Sequence, residues 1–159
     1  MKVFLLRHAI AAYGGPDPDR PLTTEGEYDA EFLAKFVSEN SFYDFSEIWC
    51  SPYLRARQTA EPFLRATNNK VKLKQFDSLI PFGDPIETVS KLIQQDKSTL
   101  IVGHNPHLSL LARTLLGMDE SHVHLPFKKS GLMTFKRDHY NKTGYSLSAY
   151  ITPKSVGII

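Results

Sequence analysis

Two arginines and two histidines of this sequence lie at or shortly after the ends of short apolar runs. Arg7 and His8 follow the first run, Arg55 comes soon after the second, and His104 follows a later one. The arginine guanidinium stays charged and binds phosphate through two parallel hydrogen bonds. A neutral histidine nitrogen can act as a nucleophile toward phosphorus. Together, the four side chains could bind a phosphoryl group, take it onto a histidine and release it by hydrolysis.

The elements that must position these residues follow the pattern of the α/β class, in which apolar strands alternate with amphipathic helices. In open α/β sheets, ligands bind in the crevice beyond the carboxyl ends of the parallel strands. If the strands that precede the four residues are parallel neighbours, the four side chains meet at one edge of the sheet. Strands are predicted at residues 2–6, 46–50, 71–75, 99–102, 132–136 and 145–151.

Helix starts are predicted from capping patterns. Thr24 and Glu27 match the T-x-x-E capping box, which predicts a helix from Thr24. A second helix is expected from about residue 53, with Pro62 bending or ending it. Asp84-Pro85 and Asn105-Pro106 each combine an N-cap residue with a proline at the first helical position. Helix N-termini close to the predicted crevice would add backbone N–H donors for an anion.

Composition narrows the class of protein. The chain has 159 residues, of which 42% are hydrophobic and 23% charged, as expected for one globular domain. A net charge of +2 is too small to indicate nucleic-acid binding. The lone Cys50 cannot form an internal disulfide, and Arg7-His8 interrupts the N-terminal apolar run too early for a signal peptide. No run approaches the length of a membrane span, so we expect a cytoplasmic protein.

Several segments resemble the histidine phosphatase superfamily. LLRHA (residues 5–9), SPYLRARQTAE (51–61) and VGHNPHLSLLA (102–112) are similar to its three signatures. RPLTTEG (20–26) and LIPFGDP (79–85) are similar to the SixA-type branch of phosphohistidine phosphatases. The resemblance implies one domain over residues 1–159 with a phosphoglycerate mutase-like fold. That fold is a three-layer α/β/α sandwich with a mostly parallel central sheet, here compact and without large insertions.

The resemblance also implies residue roles. His8 would be the nucleophile, with Arg7, Arg55 and His104 as its phosphate pocket, and no metal or organic cofactor is implied. Ala9 stands where many members have glycine. The acidic proton donor that large members carry on an insertion has no counterpart in a chain of this length.

Two further residues have both a structural and a functional interpretation. Arg20 could pair with Asp17 or Asp19, or it could bind substrate phosphate. Asp84 could be only the cap of its helix, or it could also donate a proton to the leaving group. The capping pattern already explains Asp84, so we favour the cap.

Other chemistries fit the sequence less well. His104 with His107, and His122 with His124, suggest a metal site, but no HExxH or CxxC pattern accompanies them. Cys50 precedes Arg55 by one residue too few for the C-x5-R pattern of cysteine phosphatases, and it lies in a predicted strand. We therefore expect a buried structural thiol at this position.

The expected substrate is phosphohistidine on a protein, for example a histidine-containing phosphotransfer protein, as the branch implies. A phosphohistidine has a good leaving group, which suits a chain without the acidic insertion. A small phosphomonoester is the alternative substrate, and a non-catalytic phosphate-binding module is the alternative function. We expect a monomer that binds neither nucleic acid nor membrane.

Overall fold

The computed structural model describes residues 1–68, 70–118, 125–140 and 144–157. The strands are β1 (Lys2–Arg7), β2 (Glu47–Cys50), β3 (Lys72–Gln75), β4 (Thr99–Gly103), β5 (Leu132–Arg137) and β6 (Tyr145–Ile151). The helices are α1 (Thr24–Ser38), α2 (Leu54–Ala66), α3 (Pro85–Gln95) and α4 (His107–Leu116). All six predicted strands are present, with ends that differ by about one residue. In the described part of the chain, no helix is long and apolar enough to cross a membrane.

The strands form one sheet in the order β3-β2-β4-β1-β5-β6. β1, β2, β3 and β4 run parallel to one another, while β5 is antiparallel to both β1 and β6. The predicted mostly parallel sheet is therefore confirmed. In the register of β1 and β4, Arg7 lies opposite Gly103. His8 and His104 consequently leave two adjacent strands at the same level.

Helices cover both faces of the sheet. On one face, Phe4, Leu6 and other strand residues pack with buried residues of α1 and α2. On the opposite face, Val3, Leu5 and their neighbours pack with α3 and α4. Alternate residues of β1 thus enter two separate cores, as the two-residue period of a strand requires. This arrangement is the expected three-layer α/β/α sandwich.

The predicted capping box at the start of α1 is wrong by one residue. Thr23 is the N-cap, and its hydroxyl oxygen accepts a hydrogen bond from the backbone N–H of Gly26 at 3.1 Å. Gly26 thus occupies the place of the capping-box glutamate. A Cβ atom there would lie 2.2 Å from the carbonyl oxygen of Ile10, so the helix start packs too closely against that loop for any larger residue.

Two proline predictions differ from the structure at least in part. Pro62 is predicted to bend or end α2, and it does not end the helix, which continues to Ala66. Pro62 is itself buried, and burial of its ring offsets the backbone hydrogen bond that proline cannot donate. Asn105 does not cap α4, because Pro106 is the N-cap residue and the side chain of Asn105 accepts from the Ser109 hydroxyl at 3.1 Å. The Asp84-Pro85 start of α3 is confirmed.

Candidate active site

His8 lies just beyond β1, with only 7% of its surface exposed. Its Nδ1 atom is 2.7 Å from the carbonyl oxygen of Ala9. A carbonyl oxygen can only accept, so Nδ1 carries the proton and Nε2 carries a lone pair. Burial lowers the pKa of His8 to about 3, and the charges of neighbouring Arg55, Arg7 and Lys129 act in the same direction. The imidazole is therefore neutral at pH 7, as a nucleophile must be.

Arg55 comes from the first turn of α2 and is 4% exposed. Its Nε donates to Nε2 of His8 at 3.3 Å. Nη1 donates to the backbone oxygen of Asp17 at 2.6 Å, and Nη2 lies 3.1 Å from its carboxylate. The guanidinium is thus held from one side by Asp17 while its other edge faces the candidate nucleophile.

Arg7 is the last residue of β1 and lies beside the same pocket. Its Nη1 donates to the carbonyl oxygen of Phe127 at 2.6 Å. Its Nε is buried without a hydrogen-bond partner in the described residues. Burial lowers the pKa of Arg7, although the nearby Tyr150 acts in the opposite direction. A buried guanidinium N–H without a partner is a donor to which an anionic ligand can bind.

His104 follows β4 and is 1% exposed. The centroid of its ring is 5.0 Å from that of His8, and its Nε2 is 2.7 Å from the hydroxyl of Ser51. Its Nδ1 is buried without a partner among the described residues. Burial, together with neighbouring His8 and Arg55, lowers the pKa of His104 to about 2. The structure thus brings together the four residues that the sequence singled out.

Arg20 joins the cluster through Asp17. Its Nη1 lies 3.0 Å from Asp17 Oδ1, and its Nε donates to the carbonyl oxygen of Ala12 at 2.7 Å. Burial alone would raise the pKa of Asp17, but hydrogen bonds from Arg55 and Arg20 outweigh it and lower the pKa. The predicted pairing of Arg20 with Asp17 is present, and the same carboxylate links Arg20 to Arg55. No sequence pattern links Asp17 to Arg55, because the two residues are separated by 38 positions.

Asp84 is the N-cap residue of α3. Its Oδ1 accepts from the backbone N–H of Ile86 at 2.8 Å, as expected for the cap of α3. Its described hydrogen bonds include none to His8, Arg7, Arg55 or His104. Its neighbour toward the site is the buried His107, whose pKa is lowered by burial, while the backbone and charge of Asp84 act in the opposite direction.

A turn after Phe127 completes the surroundings of His8. The backbone N–H of Ser130 donates to the carbonyl oxygen of Arg7 at 3.1 Å, and Arg7 N–H donates to Gly131 at 3.0 Å. Lys128 and Lys129 occupy the exposed part of this turn. Sequence reasoning missed these lysines because no pattern links residues 128–131 to residues 7–8, which are more than 100 positions away.

The alternative chemistries find little support in the geometry. No group of three histidine, cysteine, aspartate or glutamate side chains that could hold a metal ion occurs within the described ranges. His122 and His124 lie outside those ranges. Cys50 is fully buried in β2, and burial raises the pKa of its thiol to about 12. The predicted structural role of Cys50 therefore fits, since a thiol with that pKa is a poor nucleophile at pH 7.

A separate cavity of about 330 Å³ lies near the C-terminal ends of α1 and α2. Val37, Tyr43, Phe45 and Phe63 are among the residues that line it. None of the phosphate-pocket candidates borders this cavity. The candidate site is therefore the cluster at the carboxyl ends of β1 and β4.

Comparisons with known proteins agree with the motifs. The model of the histidine phosphatase superfamily (branch 1) matches residues 3–80. Phosphohistidine phosphatase SixA from Escherichia coli (strain K12) is 31% identical over 121 residues, which cover 72% of this chain and 74% of that protein.

Solved structures share the fold over nearly the whole chain. A structure of the protein histidine phosphatase SixA with tungstate has a TM-score of 0.84 and 24% identity, covering 99% of this chain and 100% of that one. A protein assigned as SixA from Agrobacterium tumefaciens has a TM-score of 0.80 and 29% identity, covering 96% and 97%. An Escherichia coli protein assigned as an α-ribazole-5′-P phosphatase has a TM-score of 0.77 and 20% identity, covering 96% and 98%. From these motifs, this fold and these relatives, the chain belongs to the histidine phosphatase superfamily.

Proposed function

We propose that this chain is a metal-independent phosphatase that removes the phosphoryl group from phosphohistidine on a protein through a covalent intermediate at His8. The observation that carries the proposal is the state of His8. Its Nδ1 proton is held by the Ala9 carbonyl, while its Nε2 lone pair faces the guanidinium of Arg55 at 3.3 Å. A nucleophile and a phosphate-binding cation thus lie side by side.

In the first step, the phosphoryl group lies between Arg7, Arg55 and His104. The lone pair of His8 Nε2 attacks phosphorus as the P–N bond to the substrate imidazole breaks. The electron pair of that bond leaves with the substrate nitrogen. Two guanidinium groups oppose the negative charge on the phosphoryl oxygens, which is the main way a protein accelerates this transfer.

In the second step, a water oxygen attacks phosphorus and the P–N bond to His8 breaks. Inorganic phosphate is released, the lone pair returns to Nε2, and one proton passes from the water to solvent. His8 returns to its neutral form because its environment disfavours the charged imidazolium. The enzyme is thereby ready for another cycle without any cofactor.

Phosphohistidine suits this site because of its leaving group. A solvent proton on the far ring nitrogen lets the substrate imidazole leave as a neutral molecule. No acid is then needed beside the scissile bond, and Asp84 forms no hydrogen bond with His8 or His104 among the described residues. An alkyl phosphate must expel an alkoxide and gains far more from a positioned acid.

The relatives support the same substrate. The Escherichia coli relative at 31% identity is a phosphohistidine phosphatase. The tungstate complex of SixA has the same fold, and tungstate, like phosphate, is a tetrahedral oxyanion. The small-phosphomonoester alternative has support from the α-ribazole-5′-P phosphatase, at the level of fold alone.

The test is to trap the intermediate. The enzyme is mixed with a radiolabelled phosphohistidine protein and quenched in alkali within milliseconds. We expect a base-stable, acid-labile label on His8, and no label or turnover in His8→Ala. His139→Ala, which removes an exposed histidine on a distant turn, is the matched control and should retain both. Label on Cys50, or turnover without His8, would contradict the mechanism. Binding of the phosphoprotein without turnover would instead support the non-catalytic module.

The substrate is tested by a panel. The values of kcat/KM are compared for a phosphohistidine protein, free phosphohistidine and several small phosphomonoesters. We expect the phosphoprotein to give the highest value. A small ester that exceeds it by tenfold or more would favour the alternative substrate.

A further inference from the structure

We propose that the turn at residues 128–131, here called the lysine turn, is a docking element for an acidic surface of the phosphoprotein substrate. The proposal rests on the proposed function and names the partner more closely. The partner is a protein that carries aspartate or glutamate side chains beside its phosphohistidine.

The lysine turn is fastened to the candidate nucleophile strand. The N–H of Gly131 donates to the Lys128 carbonyl at 2.9 Å and closes the turn, while Ser130 takes the left-handed conformation at φ 56°. Ser130 N–H then donates to the carbonyl of Arg7, and Gly131 accepts from the Arg7 N–H. The side chain of Ser130 is buried. The turn is thus held in a defined position beside His8.

Both lysine side chains of this turn lie at the protein surface. Lys128 and Lys129 are exposed, and no carboxylate in the described residues forms an ion pair with either. By contrast, Lys74 and Lys97 both pair with Glu47. The positive charge of Lys129 is close enough to His8 to contribute to its lowered pKa. Two unpaired cations therefore border the site where the phosphoryl group would be bound.

The charge around the site is uneven. Asp17 is neutralised by Arg20 and Arg55, with which it forms ion pairs. Asp19 belongs to the same loop as Asp17, and Asp84 begins α3, so these two carboxylates lie on other segments than the lysine turn. The carboxylate of Asp29 accepts from the Ser130 hydroxyl of the turn at 3.5 Å, but among the described residues it forms no ion pair with Lys128 or Lys129. An acidic partner surface would therefore find two lysine charges on the lysine turn that no carboxylate pairs with in the described residues. Such complementarity steers encounter and fixes orientation.

Exposed aromatic side chains on two other loops indicate a partner larger than a metabolite. Tyr13 is 91% exposed, and its ring lies 5.4 Å from the guanidinium of Arg20. Phe82 is 87% exposed and follows Pro81, whose carbonyl oxygen accepts from the N–H of His107 at 3.2 Å. Exposed aromatic residues near a site commonly serve as protein contacts. A ligand that contacts three separate loops around one phosphoryl group must have the extent of a protein surface.

The test reverses the charge of the lysine turn. The double variant Lys128→Glu/Lys129→Glu is compared with the control Lys70→Glu/Lys72→Glu, which changes the net charge by the same amount. The control lysines lie near the start of β3, at the amino ends of the parallel strands, whereas the site lies at their carboxyl ends. The probes are an acidic histidine-phosphotransfer domain, phosphorylated with phosphoramidate, and free phosphohistidine. Charge steering changes association rates by about 10- to 10³-fold. We therefore expect the lysine-turn variant to lose roughly tenfold or more in kcat/KM for the phosphoprotein at low salt, mostly in KM.

The loss should be several times smaller for free phosphohistidine and should shrink as salt is added. The control pair should change neither value. Equal losses on both probes would place the lysines in the phosphate pocket and overturn the docking role. An unchanged kcat/KM for the phosphoprotein would overturn it as well. Failure of the unmodified enzyme to turn over the phosphoprotein at any salt concentration would instead refute the proposed substrate, which is a different result.

Discussion

The substitution Arg55→Lys tests the geometry of the pocket without removing its charge. Arg55 donates from Nε to His8 and from Nη1 and Nη2 to Asp17. A lysine ammonium is a point charge that cannot hold Asp17 on one side and present a planar edge to the phosphoryl group on the other. The substitution therefore removes the planar set of N–H donors and keeps the positive charge.

The magnitude follows from the contacts that are lost. The two bonds to Asp17 exist already in the free enzyme and hold the guanidinium in place, whereas its remaining edge is available to the phosphoryl oxygens. Losing one positioned donor to the charge of a transition state costs about 3 kcal/mol. At about 1.4 kcal/mol for each factor of ten, kcat/KM should fall on the order of 10²-fold.

The assay measures kcat/KM for a phosphohistidine protein and for one small phosphomonoester. Arg57→Lys is the matched control, because Arg57 lies on the same helix but is exposed. Both substrates should lose activity alike in Arg55→Lys, since the phosphoryl group is common to both. Near wild-type kinetics in Arg55→Lys, with an unchanged Tm, would remove Arg55 from the pocket and refute the reasoning.

Three other predictions concern the proton donor, metals and pH. Asp84→Asn should leave phosphohistidine turnover unchanged because asparagine still caps α3. Asp84→Ala should lower Tm with little effect on kcat, and a selective loss of alkyl phosphate hydrolysis in Asp84→Asn would make Asp84 the acid. Prolonged treatment with EDTA should not change kcat, because the groups around His8 are mostly cations that do not bind metals; a loss that zinc restores would contradict this. Burial lowers the pKa of His8 to about 3 and that of His104 to about 2, so NMR should detect no titration of either ring between pH 5 and 8. In the unfolded chain, both histidines take up a proton near pH 6.5. The free energy of unfolding should therefore fall as the pH drops below that value, and it should fall less in His104→Gln.

The four central residues could be predicted because they depend on simple rules. Arg7, His8 and His104 each end or follow a short buried strand, and parallel strands bring such positions to one edge. Arg55 follows the same logic through the start of α2. Local sequence therefore contained enough information to place these side chains near each other. Local sequence did not predict the hydrogen-bond partners of these side chains.

The parts that sequence reasoning missed depend on contacts between distant segments. Asp17 contacts Arg55 only because the loop after β1 folds over the start of α2. The N-cap of α1 is Thr23, and the close approach of Gly26 to Ile10 at this helix start is a contact that a capping pattern cannot reveal. Pro62 is tolerated because tertiary packing buries it, and packing overrides local propensity.

The central position of β1 has a consequence for how the protein is made. β1 leaves the ribosome well before its sheet partners β4 and β5. The backbone of Arg7 obtains its partners Ser130 and Gly131 later still than β4. During synthesis, the apolar strand that leads to His8 therefore remains unpaired until β4 and β5 have been made. Long-range pairing of this kind slows folding and leaves the nascent chain prone to aggregation, so chaperones that bind extended apolar segments should recognise residues 2–7 of the growing chain.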